Sequence, residues 1–280
     1  MRHNLLGLLL IILLLPLTAC HNEKKTQTPL TFGTELYDSA ALHIALVPNR
    51  DCLPIYYAQK AGIYDSLGLK LQIASFHSQA DCDTALLGTP CDGGYADLLR
   101  LKHYGKRAND LKAEWNGTNR WAIFCSGLLR IKDVATLDKR TIAIARNSAE
   151  LQYLTDALGE ANLKYTDVYR PQINDLELRT KMLNGNQVDA AIVCWPYTST
   201  AKAFGHKLLA IQKKNDPNNC FVMKKSRMTQ SKIKQQWDLF EKGRKMAQDS
   251  LRIKGPKAYS LILQQYYGIP KAIADTIQYK

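Results

Sequence analysis

The sequence predicts an α/β chain of two lobes, each a sheet covered by helices, joined by two hinge crossings and followed by a helical C-terminal tail. Three observations lead there. Apolar strand-like runs alternate with helical periodicities twice over, once between residues 42 and 104 and again between 121 and 194. Single strands near Trp121 and Cys220 stand where the chain would pass from one block to the other. Beyond residue 231 the apolar residues repeat only at helical spacing.

The chain starts with Met1-Arg2-His3, a Leu/Ile run from Leu5 to Leu15 broken only by Gly7, then Pro16 and Leu17-Thr18-Ala19-Cys20. A basic front, an apolar core far short of the ~20 residues that span a bilayer, and small residues at the cut make residues 1–19 a secretory signal peptide. The Leu-x-Ala-Cys ending resembles the bacterial lipobox. That resemblance implies cleavage before Cys20, diacylation of its thiol, and a chain anchored by lipid (palmitate among its acyl groups) to a membrane of the cell envelope, facing the periplasm or exterior. Residues 20–41, polar from His21 to Asp38, form the lipidated tether.

The folded part begins at Leu42. His43 to Val47 is an apolar strand stopped by Pro48. Pro54 opens a helix that runs to Ala61 and ends at Gly62. Leu69, Leu71 and Ile73 alternate with polar residues in a strand reaching Phe76. A short helix from Asp83 to Leu87 stops at Gly88, Cys91-Asp92-Gly93-Gly94 makes a tight turn or begins a strand, and Ala96 to Tyr104 is helical. The second block has strands at Trp121–Cys125, Thr141–Ala145, Val168–Tyr169 and Asp189–Cys194. Its helices start at Ser148 and Asp175, both capping residues. Leu208–Ile211 and Cys220–Met223 add two strands. In the tail, Ile233, Trp237, Phe240, Ala247 and Leu251 mark one helix face, and Gly255-Pro256 starts another helix. Such alternation predicts mostly parallel sheets, with the tail covering the first block.

Lys and Arg number 38 against 25 Asp and Glu, a formal net charge of +13. Nucleic acid, an anionic membrane face and an anionic ligand compete to explain it. The basic residues are spread out and interleaved with acids, which suits a solvated surface, and export argues against nucleic acid. Of seven cysteines one goes to the lipid, leaving Cys52, Cys82, Cys91, Cys125, Cys194 and Cys220. An oxidising envelope permits disulfides, and Cys125–Cys220 is the candidate pair if the crossing strands lie side by side. The apolar surroundings of these residues suit buried thiols for most of them. No Cys-x-x-Cys, His-Glu-x-x-His, Gly-x-Ser-x-Gly or phosphate-loop pattern is present, so neither metal, cofactor nor catalytic residue is assigned.

Several segments together resemble one family. Asp51-Cys52-Leu53-Pro54-Ile55-Tyr56-Tyr57-Ala58-Gln59-Lys60-Ala61-Gly62-Ile63-Tyr64, with Leu67-Gly68-Leu69, resembles the opening of substrate-binding proteins of nitrate/sulfonate/taurine-type ABC transporters. Asp83 to Leu86 before Gly88, then Asp92-Gly93, continues it. Leu137 to Ala143 resembles that family's Leu-x-Gly-Lys segment, with Asp138 or Lys139 where Gly is usual. Leu183 to Val193 followed by Trp195-Pro196-Tyr197 resembles its Pro-Glu-Pro-like turn, with Trp195 in place of the acid. The resemblance spans Leu42 to Met223. It implies a two-lobed periplasmic-binding-protein fold that hands a small molecule to a permease and its ATPase.

On this reading lobe 1 comprises residues 42–122 and 220–280, and lobe 2 comprises 123–219. Ligands of open α/β sheets sit beyond the carboxyl ends of the strands. That places Asn49, Asp51, Tyr56, His77 and Ser78 opposite Asn147, Ser148, Trp195 and Tyr197 as the expected ligand-binding set. Ser148 starts a helix whose free amides suit negative charge, and Trp195 and Tyr197 can stack on a flat ligand. The ligand is therefore expected to be anionic or heteroaromatic. Two other classes stay open: an enzyme of the same fold acting on a small organic acid, and a sensor or adhesion lipoprotein with no specific solute.

Overall fold

The computed structural model describes residues 31–88, 90–214 and 218–279. The signal peptide, Cys20 and the tether up to residue 30 lie outside the described residues. Residues 31–41, expected to belong to the tether, are folded instead: a short hairpin, β1 (Thr31–Phe32) and β2 (Glu35–Leu36), comes first, and Phe32 and Tyr37 pack on buried His43. Then follow β3 (Leu42–Leu46), α1 (Leu53–Lys60), α2 (Ile63–Ser66), β4 (Leu71–Ser75), α3 (Gln79–Leu87), β5 (Gly93–Asp97), α4 (Leu98–His103) and β6 (Leu111–Asn116). The chain continues through β7 (Ala122–Cys125), β8 (Ile142–Ala143), α5 (Ala149–Glu160), α6 (Leu176–Asn184), β9 (Ala190–Val193), α7 (Tyr197–Ala203) and β10 (Lys207–Ile211). It finishes with β11 (Asn219–Lys224), α8 (Lys225–Met228), α9 (Ser231–Ile253), α10 (Ser260–Tyr267) and α11 (Lys271–Ala274).

The strands form two sheets, ordered β4-β3-β5-β11-β6 and β10-β7-β9-β8. They are mixed, which corrects the expectation of mostly parallel sheets. β3 runs parallel to β4 and β5, but β11 is antiparallel to both β5 and β6. In the second sheet β8 and β9 are parallel, while β7 is antiparallel to β9 and β10. The reason is the connectivity: strands that follow a crossing come into a sheet from the opposite end to those built by β-α-β units. The chain crosses between the sheets twice, between β6 and β7 and between β10 and β11, and the described ends of the two crossings are hydrogen-bonded to each other. Gly117 N donates to Asn219 O at 2.8 Å, and Gln212 N donates to Trp121 O at 2.8 Å.

Several local expectations shift. Ser78 accepts a hydrogen bond from Asp81 N, so α3 starts four residues before Asp83. Of the two alternatives for Cys91-Asp92-Gly93-Gly94 the strand holds, with Gly93 and Gly94 beginning β5. A Cβ on Gly94 would lie 2.1 Å from Ala45 O, and one on Gly93 2.5 Å from Val222 O, so only glycine lets β5 pair on both sides. Asp97 caps α4 and ends β5, shortening the helix expected from Ala96. Val168–Tyr169 makes only a single bridge, Tyr169 to Thr141.

The core of the first sheet is closed by the tail, as expected. Phe240 on α9 is fully buried, with ring centroids 5.4 Å from Phe221 and from Trp237 and 5.6 Å from Tyr64. The disulfide expectation fails. Cys125 sits on β7 opposite Ala190 and Lys207, whereas Cys220 sits on β11 opposite Ala96 and Asn116, so each belongs to a different sheet. The six described cysteines are free and buried. Burial pushes the thiols of Cys91, Cys194 and Cys220 up to about 12, which keeps them protonated and unreactive at neutral pH.

Candidate ligand-binding cleft

The carboxyl ends of β3, β4 and β8 converge on one cavity, to which both sheets contribute. Its volume is about 40 Å3, room for roughly three waters. Asn49, His77 and Ser148 of the expected set line it. Asn49 is buried, and its Oδ1 accepts from the backbone N–H of Asp51 and Cys52, shaping the turn into α1. His77 stands at the rim, with Nδ1 4.0 Å from Asp175 Oδ2. Ser148 caps α5: its Oγ accepts from Leu151 N and donates to Ala145 O at 2.8 Å.

The floor of the cavity comes from the crossings, which sequence reasoning missed. Asn119, Trp121 and Asn219 line it and are 2%, 8% and 3% exposed. Asn119 Oδ1, Trp121 Nε1 and Asn219 Nδ2 have no hydrogen-bond partner. Buried polar atoms are nearly always satisfied; of the seven unpartnered buried side-chain atoms among the described residues, these three belong to residues that line this one cavity. The signal available in the sequence was the position of the crossings themselves: polar and aromatic residues at a connection that must run between two cores.

The walls are charged. Glu150 and Arg179 meet on the second-sheet side, Arg179 fully buried and Glu150 2% exposed. Arg179 NH1 and NH2 donate to Glu150 at 2.8 and 2.9 Å, and its other N–H groups reach Ile173 O and Ile192 O. Glu150 Oε1 also accepts from Ala145 N. On the first-sheet side Arg100 Nε donates to buried Asp83 at 2.8 Å. Asp97 accepts from the N–H groups of Leu99 and Arg100. Burial pushes its carboxyl up to about 7, against the lowering effect of those amides and of Ala149 N–H.

Among the described residues, three further contacts besides the His77–Asp175 pair join the rims across the cleft. Asp97 Oδ2 accepts from Ala149 N, the first residue of α5, at 2.7 Å. Arg100 NH1 donates to Arg146 O at 2.8 Å. Ser78 and Asp175 form an antiparallel bridge.

The rest of the expected set is engaged elsewhere. Asp51 accepts from Tyr95 OH at 2.7 Å and from Thr118 N at 2.9 Å, tying α1 to the first crossing. Tyr56 is core: its ring stacks on Tyr266 at 4.3 Å and its hydroxyl meets Ser75 Oγ at 2.7 Å. Ser78 is spent on capping α3 and on the rim bridge. Asn147 is exposed in a left-handed turn with φ 52°, a conformation asparagine tolerates. Trp195 donates its indole N–H to Gln278 O at 3.3 Å and packs edge-on against Tyr267 and Tyr279. Tyr197 is buried in the first turn of α7. The aromatic planes expected to close on a ligand thus pack on the C-terminal tail. Among the described residues no cluster of three His, Cys, Asp or Glu side chains could hold a metal ion.

The architecture is that of known solute-binding proteins. The alkanesulfonate-binding protein SsuA of Xanthomonas axonopodis pv. citri, solved with MOPS, superposes with a TM-score of 0.68 at 18% identity, over 85% of this chain and 83% of that one. The periplasmic nitrate-binding protein NrtA of Synechocystis PCC 6803 gives 0.68 at 14% identity, over 84% and 68%. A mutant of DszB in complex with biphenyl-2-sulfinic acid gives 0.58 at 14% identity, over 83% and 82%. At these identities the likeness establishes the fold, a periplasmic-binding-protein fold. Comparison with curated protein sequences gives no significant match. The model of the NMT1/THI5-like family matches residues 49–247, most of the chain, and the protein belongs to that family.

Proposed function

We propose that the protein is an extracytoplasmic solute-binding lipoprotein, which captures a small molecule between its lobes and delivers it to the permease and ATPase of an ABC importer. The observation that carries this reading is the set of unpartnered buried atoms, Asn119 Oδ1, Trp121 Nε1 and Asn219 Nδ2, around one interlobe cavity. Lobe 1 (42–122 and 220–280) and lobe 2 (123–219) would turn about the two crossings. Asn49, His77 and Ser148 would meet the ligand from the strand ends. The family and the binding proteins that share the fold support a binding role. DszB shows that the fold also serves an enzyme. Here the thiol on the cavity wall, Cys194, is held at about 12 by burial, which speaks against a nucleophile.

A solute at 100 times its dissociation constant stabilises the folded state by ~2.7 kcal/mol, a rise in Tm of roughly 5–10 °C for a chain of this size. A thermal-shift screen of small solutes should find such a ligand. Asn219→Leu should weaken it by about 1–3 kcal/mol through the lost hydrogen bond. Shifts that are untouched by this substitution would place the solute elsewhere and remove the site.

The anchor is a separate proposal and rests on Leu17-Thr18-Ala19-Cys20. Among the described residues no helix is long and apolar enough to cross a membrane. Cys20→Ala should move the protein from the membrane fraction to the soluble envelope fraction and abolish incorporation of labelled fatty acid. Membrane association that persists without a lipid label would rule the anchor out.

A further inference from the structure

We infer that the cleft is built for an uncharged polar solute carrying both N–H donors and C=O acceptors, an amide- or urea-like group, and that it rejects oxoanions. The inference rests on the binding reading above and concerns the same cavity. It runs against the charge of the chain as a whole, which is +13.

The first argument is the local charge. Four charged side chains line the interior: Asp97, Glu150, Arg100 and Arg179. Directly behind them Asp83 pairs with Arg100 at 2.8 Å, and Asp51 bonds Tyr95, another lining residue. These are four carboxyl groups against two guanidinium groups. An anion entering here would be buried next to more negative than positive charge, with only the open donors of Arg100, Trp121 and Asn219 to offset its desolvation.

The second argument is donor saturation. A guanidinium has five N–H donors. Those of Arg179 are all spent, two on Glu150, two on Ile173 O and one on Ile192 O. It cannot clamp an oxoanion without releasing Glu150. Arg100 keeps open donors: only its Nε and NH1 have partners among the described residues. Its charge, however, is already offset by Asp83. The amide at the start of α5, where an anion would dock on a helix end, is also taken, since Ala149 N donates to Asp97.

The third argument is the pattern of unmet hydrogen bonds. Trp121 Nε1 and Asn219 Nδ2 need acceptors, and Arg100 can supply a further donor beside them. Asn119 Oδ1 needs a donor. An oxoanion offers acceptors alone and leaves Asn119 orphaned. A simple ammonium ion offers donors alone and leaves Trp121 and Asn219 orphaned. A molecule with both satisfies all three. Val47, Tyr95 and Leu176 add apolar wall, which suits a carbon frame around such a group. The Asp97 carboxyl, held at about 7, can also donate when protonated, so it fits a neutral partner in either form.

Calorimetry and thermal shift on the purified protein test this with four probe sets: urea, nicotinamide and 2-pyrrolidone; nitrate and ethanesulfonate; ethylammonium chloride; and sodium chloride at matched ionic strength. The expected result is that at least one amide-type probe binds and raises Tm, and that Asn119→Leu and Asn219→Leu each weaken it tenfold or more. Nitrate and ethanesulfonate should raise Tm no more than sodium chloride. Urea counts only through calorimetric binding at low concentration, because it also unfolds proteins. Saturable binding of nitrate, ethanesulfonate or ethylammonium that Asn219→Leu abolishes would overturn the inference while leaving the solute-binding reading intact. Should no probe of any set bind, both the inference and that reading would fall. Circular dichroism of each variant establishes that it is folded. If either leucine variant is not, Asn219→Ser and Asn119→Ser, which shorten the side chain and keep it polar, carry the same comparison.

Discussion

Arg179→Leu is expected to destabilise the protein by about 3–5 kcal/mol, the range for removing one partner of a buried ion pair. The guanidinium is wholly inaccessible and grips both Glu150 oxygens. Without it the Glu150 carboxylate stays buried with Ala145 N–H as its remaining partner, and the carbonyls of Ile173 and Ile192 lose their donors. Those carbonyls lie just before α6 and on β9, so the damage reaches the whole second sheet. Equilibrium urea unfolding reads the loss directly. Replacing both partners, Arg179→Leu with Glu150→Leu, should recover a large part of it, because no charge is then left stranded. A single variant as stable as the parent would show that the pair is not buried in solution.

Asp97 should make stability fall as pH rises through the neutral range. Its carboxyl is 2% exposed, and burial holds it at about 7, against a usual value of 3.8. Between these values the folded chain keeps a proton that the unfolded chain has lost, so the folded state binds more protons and loses stability with increasing pH. The contribution is complete below about pH 4 and gone above about pH 7, a total of about 4 kcal/mol at 1.36 kcal/mol per unit. Asp38, Asp92, Asp110 and Asp275, which are held below the usual carboxylate range, act with the opposite sign. The measurement is therefore a difference: urea unfolding of the parent and of Asp97→Asn at intervals from pH 4 to 8. The parent should lose stability relative to the variant across that interval. A flat difference would mean that Asp97 is solvated and that the Asp97–Ala149 contact across the cleft is open in solution.

The fold was legible because the core strands carry it. β3, β9 and β11 are buried along their whole length, and their apolar runs stand out from the flanking turn residues. β6 went unread although Leu111, Ala113 and Trp115 alternate with Lys112, Glu114 and Asn116: it is an edge strand with no fully buried residue, and its charges read as part of a solvated surface. The direction of β11 was hidden for another reason, since it follows from where the second crossing lands and not from any residue of the strand.

The site divides the same way. Asn49, His77 and Ser148 follow strands or begin helices, and by that local rule they fall on the lining of the cavity. Trp195 and Tyr56 obey the same rule and were misplaced, because Gln278, Tyr279 and Tyr266, which occupy them, come from the far end of the chain. Arg179 and Glu150 gave no local sign of burial. Each looks like a solvated helix residue until its partner, 29 positions away, is known.

The paired crossings have a mechanical consequence. Gly117 with Asn219, and Trp121 with Gln212, make a two-rung ladder, and Asn119, Trp121 and Asn219 on and between its rungs line the cavity floor. If the sheets swing about this ladder, atoms close to the pivot sweep the shortest arcs, and those on the rims, such as Asp97 and Ala149, the longest. A solute gripped at the pivot keeps its holds on Asn119, Trp121 and Asn219 whether the jaws are open or shut. Opening would then strip away the cover before it loosened the grasp, so the exposed solute stays seated on the floor, in one orientation, at the moment a recipient can reach it.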